Sequence, residues 1–142
     1  NRWFVYGWKK GDGMLYNLAL DRIHEMGAAP GETYVENTIV DQETFFDNVI
    51  GVTKEINSKA SKVRFWAASR QVPYIETKPL HKSQFVVQRN EDGSAIFQIE
   101  VVVNYELQKD LLGFGETIKV LSPKSLVRTM SERLGQAAQN YR

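Results

Sequence analysis

The residues with most to offer chemically sit near the start of the chain. RWFVYGWKK (residues 2–10) interleaves aromatic rings with cations, and Arg22 follows within LDRIHEM (20–26). A guanidinium grips phosphate or carboxylate with two parallel hydrogen bonds and stays charged when partly desolvated. Aromatic plates set among cations hold the bases of single-stranded nucleic acid, at about 1–3 kcal/mol per stacked base. Period-two alternation places Arg22 on the side of Leu18 and Leu20, so a straight strand would aim it into an apolar face. Two readings fit. Arg22 is a buried brace paired with Asp21 or another carboxylate, or it is an anion clamp at the mouth of a small barrel. The rings are equally open to two readings: Phe4, Tyr6 and Trp8 share a face opposite Trp3 and Val5, as barrel core or as stacking plates.

Other chemistries find little support. The chain has no cysteine and only two histidines, His24 and His81, so a Cys/His site is impossible and a Ser/His/Asp site has few ways to form. No G-x-S-x-G, P-loop or G-x-G-x-x-G occurs. His24 and Glu25 are neighbours and would face opposite sides of a strand, which is poor metal-ligand geometry. The expectation is a non-enzymatic protein with no catalytic residues, no metal site and no cofactor. Glu32, Glu36, Asp41, Glu43 and Asp47 read as a solvated rim, and His81 to Gln84 as the start of a strand.

These residues must be positioned by a chain of 142 residues, 42% hydrophobic and 25% charged, with room for one domain or two small ones. Without cysteine it suits a reducing compartment, and cytoplasmic localisation is expected. No apolar run of membrane-spanning length and no signal-peptide pattern appears. The chain begins inside a strand-like run with no initiator Met, which reads as a piece of a longer protein. Charge is uneven: residues 1–56 carry five Lys/Arg against nine Asp/Glu, net −4, and residues 57–142 carry thirteen against eight, net +5. Neither half has the strongly basic surface of a general polyanion binder.

Two strands around the Gly11-Asp12-Gly13 turn open the first unit. A further strand is expected at 22–26 and a short one at 33–36. DQETFFDNVIG (41–51) reads as a helix capped by Asp41 and closed by Gly51. The boundary is placed within residues 54–61, giving domains 1–56 and 57–142. The second unit alternates differently. Strands are expected at 62–67, 83–89, 95–103 and 116–121, with NEDGS as a hairpin turn. A short helix broken before Pro73 and an Asn104-capped helix at 105–113 lie between them. The last helix starts at Ser122-Pro123 and carries a core-facing stripe of Leu126, Met130, Leu134 and Ala138. The order is β-α-β-β-α-β plus a helix, close to a split βαβ arrangement.

Taken in order, these motifs resemble the WYL (YafY-like) bacterial transcriptional regulators. Arg2-Trp3-Phe4-Val5 stands at the Trp-Tyr-Leu signature, Leu20-Asp21-Arg22-Ile23 at the "LDRI" segment, and Phe45-Phe46 to Gly51 at the closing helix. YIETKPLHKSQ (74–84), AIFQIEVVV (95–103) and DLLGFGETIKVLSPKSL (110–126) resemble the C-terminal extension called WCX. The resemblance implies an α+β chain, with a small, N-terminally truncated SH3-like β-barrel (WYL) and its closing helix over residues 1–56, followed by a ferredoxin-like α/β extension (WCX) over 57–142. It also implies the effector-sensing and dimerisation part of a helix-turn-helix regulator. The barrel would bind single-stranded DNA or a nucleotide-like anion, and promoter DNA would be met by an N-terminal helix-turn-helix absent from these residues. Arg22 falls on the family's ligand-contacting arginine, with Arg2, Trp3, Phe4 and Tyr6 lining the same site; the extension implies a homodimer. Phe4 replaces the signature tyrosine and Ala19 stands where many relatives carry a basic residue, which favours a short or mononucleotide ligand, or a site that has lost affinity. The alternative is a ligand-free protein-interaction and dimerisation module in which Arg22 is structural.

Overall fold

The structure, a computed structural model, describes residues 2–11 and 14–142. The chain forms two compact units: residues 1–47 with 55–57, and residues 48–54 with 58–142. Residues 48–54 therefore cluster with the second unit, although they precede the boundary drawn from composition.

In the first unit, β1 (Phe4–Trp8) and β2 (Leu15–Ala19) pair antiparallel, with Phe4 opposite Ala19 and Trp8 opposite Leu15. Of the turn between them, Asp12 and Gly13 lie outside the described residues; Gly11 has φ +99°, a conformation suited to glycine. No closed barrel forms among the described residues, where the resemblance implied an SH3-like barrel truncated at its N-terminus. The strands foreseen at 22–26 and 33–36 are absent because neither segment finds a pairing partner, and isolated strand backbone keeps its hydrogen bonds to water. The helix expected at 41–51 is also absent: residues 42–48 form turns. Asp41 still does local capping work, its Oδ1 accepting from the Glu43 N–H at 3.0 Å and its Oδ2 from the Thr44 hydroxyl at 2.8 Å. One i→i+4 bond, Phe45 N–H to Asp41 C=O at 2.9 Å, is too little to offset the cost of nucleating a helix.

The second unit is a four-stranded antiparallel sheet with three helices. Its strands are β3 (Ser61–Ala67), β4 (Phe85–Arg89), β5 (Ala95–Val101) and β6 (Ile118–Ser122), in spatial order β4-β5-β3-β6. Helices α1 (Val72–Thr77) and α2 (Tyr105–Gly113) lie between strands in the chain, and α3 (Lys124–Gln139) ends it. Alternation explains the core. Val63, Phe65 and Ala67 of β3 and Ala95, Phe97, Ile99 and Val101 of β5 are buried, with Phe65 and Phe97 stacked at 5.5 Å. Val72 and Ile75 of α1, Leu107 and Leu111 of α2, and Leu126 and Met130 of α3 complete one cluster, which Ile50 joins.

Two details depart from expectation. Pro73 sits in the first turn of α1 rather than ending a helix, because that position needs no N–H donor. Ser122 closes β6 and Pro123 flanks α3, and the stripe is buried only at Leu126 and Met130, Leu134 being 46% exposed.

Candidate functional site

The β1–β2 hairpin gathers three of the five expected site residues at one end. There the Leu20 N–H donates to the Trp3 carbonyl at 3.0 Å, extending the ladder one step beyond the strands. A single turn of 3-10 helix, Leu20–Arg22, then breaks the alternation, and the Ile23 N–H closes it on the Leu20 carbonyl at 3.2 Å. The turn rotates Arg22 out of the strand's period, so it is exposed rather than aimed into an apolar face. Asp21, the partner considered for it, pairs instead with Arg2, Nε to Oδ2 at 3.1 Å, with both side chains half exposed. Among the described residues Arg22 has no ion-pair partner. Trp3, at the same end, is 79% exposed. A planar plate, a guanidinium without a carboxylate, and a second guanidinium partly neutralised by Asp21 thus share one edge of the hairpin.

Phe4 and Tyr6 go elsewhere. Phe4 is partly buried opposite Ala19. Tyr6 turns into an aromatic cluster with Phe45 and Phe46, its ring 5.7 and 5.3 Å from theirs, and those two meet at 4.9 Å; all three contacts are edge-to-face. This cluster floors a cavity of about 1020 Å³ within the first unit, also lined by Trp8, Lys10 and Glu32. At its rim the Lys10 ammonium donates to both Glu32 oxygens, at 2.8 and 2.9 Å, so the cation brings little free charge. Asp41 anchors the turn that carries Phe45 and Phe46, and the Thr44 hydroxyl, then the Glu43 N–H, hold its carboxyl below the usual aspartate range.

Sequence reasoning placed Tyr6 with Phe4 and missed the cavity-lining roles of Lys10 and Glu32. No local signal marks that pair, since 22 residues separate its members. Among the described residues no group of three or more His, Asp or Glu side chains is arranged to hold a metal ion. No helix among them is long and apolar enough to cross a membrane.

No curated protein matches the chain. The family model of the WCX domain matches residues 59–138, which spans all four strands of the second unit and nearly all of α3. With more than half of its length matched, this mixed α+β chain belongs to the WCX domain family, the C-terminal region of WYL-associated regulators.

Proposed function

We propose that the chain is the effector-sensing and dimerisation part of a cytoplasmic helix-turn-helix transcriptional regulator. In this reading the first unit is a WYL-type (YafY-like) sensor for short single-stranded nucleic acid or a nucleotide-like anion. Promoter DNA is bound by a helix-turn-helix domain elsewhere in the regulator, and the protein turns over no substrate. The observation that carries the reading is the open end of the hairpin, where exposed Arg22, with no ion-pair partner among the described residues, lies two residues beyond Leu20, whose N–H bonds the carbonyl of exposed Trp3. Arg22 would fork onto a phosphate while Trp3 stacks on the base, with Arg2 held in reserve by Asp21. The aromatic-floored cavity supports a second pocket for a base or sugar, lined by Tyr6. A sensor needs no closed barrel for this, only a ligand whose binding favours one arrangement of the dimer. For the second unit, the β4-β5-β3-β6 order and the β-α-β-β-α-β sequence support a ferredoxin-like assignment.

Titration of labelled short single-stranded oligonucleotides and mononucleotides at two salt concentrations tests the sensor. Binding should weaken with salt. Arg22→Gln should lose about 1.5–3 kcal/mol, as for a hydrogen bond to a charged group. A folded Arg22→Gln protein that binds as the parent does, or a parent that binds no nucleotide, defeats the reading. One observation favours the alternative, a ligand-free protein-interaction module: Met26, Tyr34 and Val35 of the first unit are each more than 80% exposed. Dimerisation unchanged by any nucleotide and lost on replacing those three would select it.

A further inference from the structure

The second unit carries a surface that the sensor site does not use. Its sheet buries one face against the helices, through Val63, Phe65 and Ala67 on β3 and Phe97, Ile99 and Val101 on β5. Alternation therefore turns Lys62, Arg64 and Trp66 to the opposite face. The register assembles that face across all four strands. Lys62 lies opposite Glu100, Arg64 opposite Gln98, and Trp66 opposite Ile96. On the flanks Lys119 of β6 lies opposite Trp66, and Phe85 of β4 opposite Gln98.

Lys62, Arg64 and Lys119 are exposed, Trp66 is partly exposed, and Phe85 is 53% exposed. Gln98 is the exception: it is buried, and its Oε1 accepts from the Arg64 Nε–H at 2.8 Å. That bond lays the guanidinium along the sheet and leaves its terminal amino groups without an ion-pair partner among the described residues. Three cations against the single carboxylate of Glu100 leave the face net positive. Trp66 and Phe85 stand two strand spacings apart and two residues out of register, so their backbones are about 12 Å apart.

We propose that this sheet face is a binding surface for single-stranded nucleic acid, separate from the hairpin edge of the first unit. Bases stack on Trp66 and Phe85, and Lys62, Arg64 and Lys119 draw the phosphates. Four-stranded antiparallel sheets with aromatics on the open face hold unpaired bases in this way, because every base offers a π-face and the strand's backbone follows the cations. Charge selects the occupant. A second copy docked on the same face by two-fold symmetry would set this cationic patch against itself, whereas a polyanion neutralises it.

The test uses the full chain and a labelled oligothymidylate of about twelve nucleotides, a length that spans a typical single-strand site. Ultraviolet cross-linking followed by peptide mapping should place thymine on the peptide containing Trp66 or on that containing Phe85. It should do so in the Arg22→Gln variant as well, so that failure of the hairpin site and of this one are told apart. Phe85→Ala should weaken binding fivefold or more. The double variant Lys62→Gln with Lys119→Gln should flatten the slope of log affinity against log salt by about 1.4, from the loss of two phosphate contacts. Cross-links confined to residues 2–10, or a salt slope unchanged in a folded double variant, overturn the proposal. So does a double variant whose only change is in the monomer–dimer equilibrium by sedimentation, an outcome that assigns the face to a second copy.

Discussion

At the scale of single residues, position 51 shows how tightly one backbone angle and one side chain can be coupled. Gly51 has φ +79°, and a Cβ built there would lie 2.5 Å from the Glu106 Cγ. Glu106 has little freedom to retreat, because its Oε1 accepts from the Val52 N–H at 3.3 Å and the Thr53 hydroxyl at 2.7 Å. Asn104 holds the same loop from the other side: its Nδ2 donates to the Ile50 and Thr53 carbonyls at 2.8 and 3.0 Å, while its Oδ1 caps α2 at the Leu107 N–H. Gly51→Ala must therefore bear both left-handed strain and a clash, together about 2–4 kcal/mol. Urea unfolding should show a lowered midpoint with an unchanged slope; an unchanged midpoint would mean the loop relaxes freely. Of these residues the sequence displayed only the local half. The Asn104 cap was legible, since a cap and its N–H are three residues apart. Its bonds to residues 50 and 53 were not, because they depend on which loop the fold delivers. Arg22 repeats the lesson: alternation pointed it inward, and a three-residue turn that alternation cannot register pointed it out.

Among the elements, the β4–β5 hairpin and the 41–47 turn make an instructive pair. The first was read from its turn residues and the second as a helix from its Asp41 cap and closing Gly51, and only the first took the form expected. NEDGS closes with Arg89 opposite Ala95 because everything the turn needs is local. Gly93 supplies φ +81°, and Asp92 Oδ1 accepts from the Ser94 N–H at 2.9 Å and its hydroxyl at 2.6 Å. The 41–47 segment has a comparable Asp41 anchor, yet a helix needs successive i→i+4 bonds and a face to bury, and this stretch obtains neither. The hairpin carries a pH signature. The Ser94 hydroxyl, then its N–H, hold the Asp92 carboxyl below the ordinary aspartate range. A carboxyl lowered in the folded state lends its contribution above the unfolded value and withdraws it as pH falls through the folded one. Acidification below the ordinary aspartate range should thus speed amide exchange at Ser94, corrected for intrinsic rates, before the sheet itself opens. Asp92→Asn, which keeps an acceptor oxygen but cannot titrate, should remove that dependence. A wild-type profile identical to that of the variant would show that the carboxylate charge contributes nothing to the turn.

For the molecule as a whole, the two units differ in what holds them. The second has a continuous core drawn from three strands and three helices. The first has no fully buried residue among those described: Tyr6, Phe45 and Phe46 form an aromatic cluster, while Trp3, Met26, Tyr34 and Val35 stay exposed. Composition could not reveal this inequality. Both stretches are rich in aromatic and β-branched residues, and the difference arises from which strands find partners. Burial sets local stability, so the first unit should open at lower free energy than the second. The tryptophans separate the two signals, with Trp3 and Trp8 in one unit and Trp66 in the other. In urea, a Trp66→Phe protein should report a transition at lower denaturant than a protein with Trp3→Phe and Trp8→Phe. Limited proteolysis should leave a resistant fragment beginning between residues 48 and 58. A nucleotide that binds the first unit should raise only the earlier transition, by RT ln(1 + [L]/Kd), until the two merge. Coincident transitions in the free protein would instead mean that both units unfold as one cooperative body. A ligand could then act on the WCX domain only through global stability, and the population shift proposed for the sensor would lose its separate moving part.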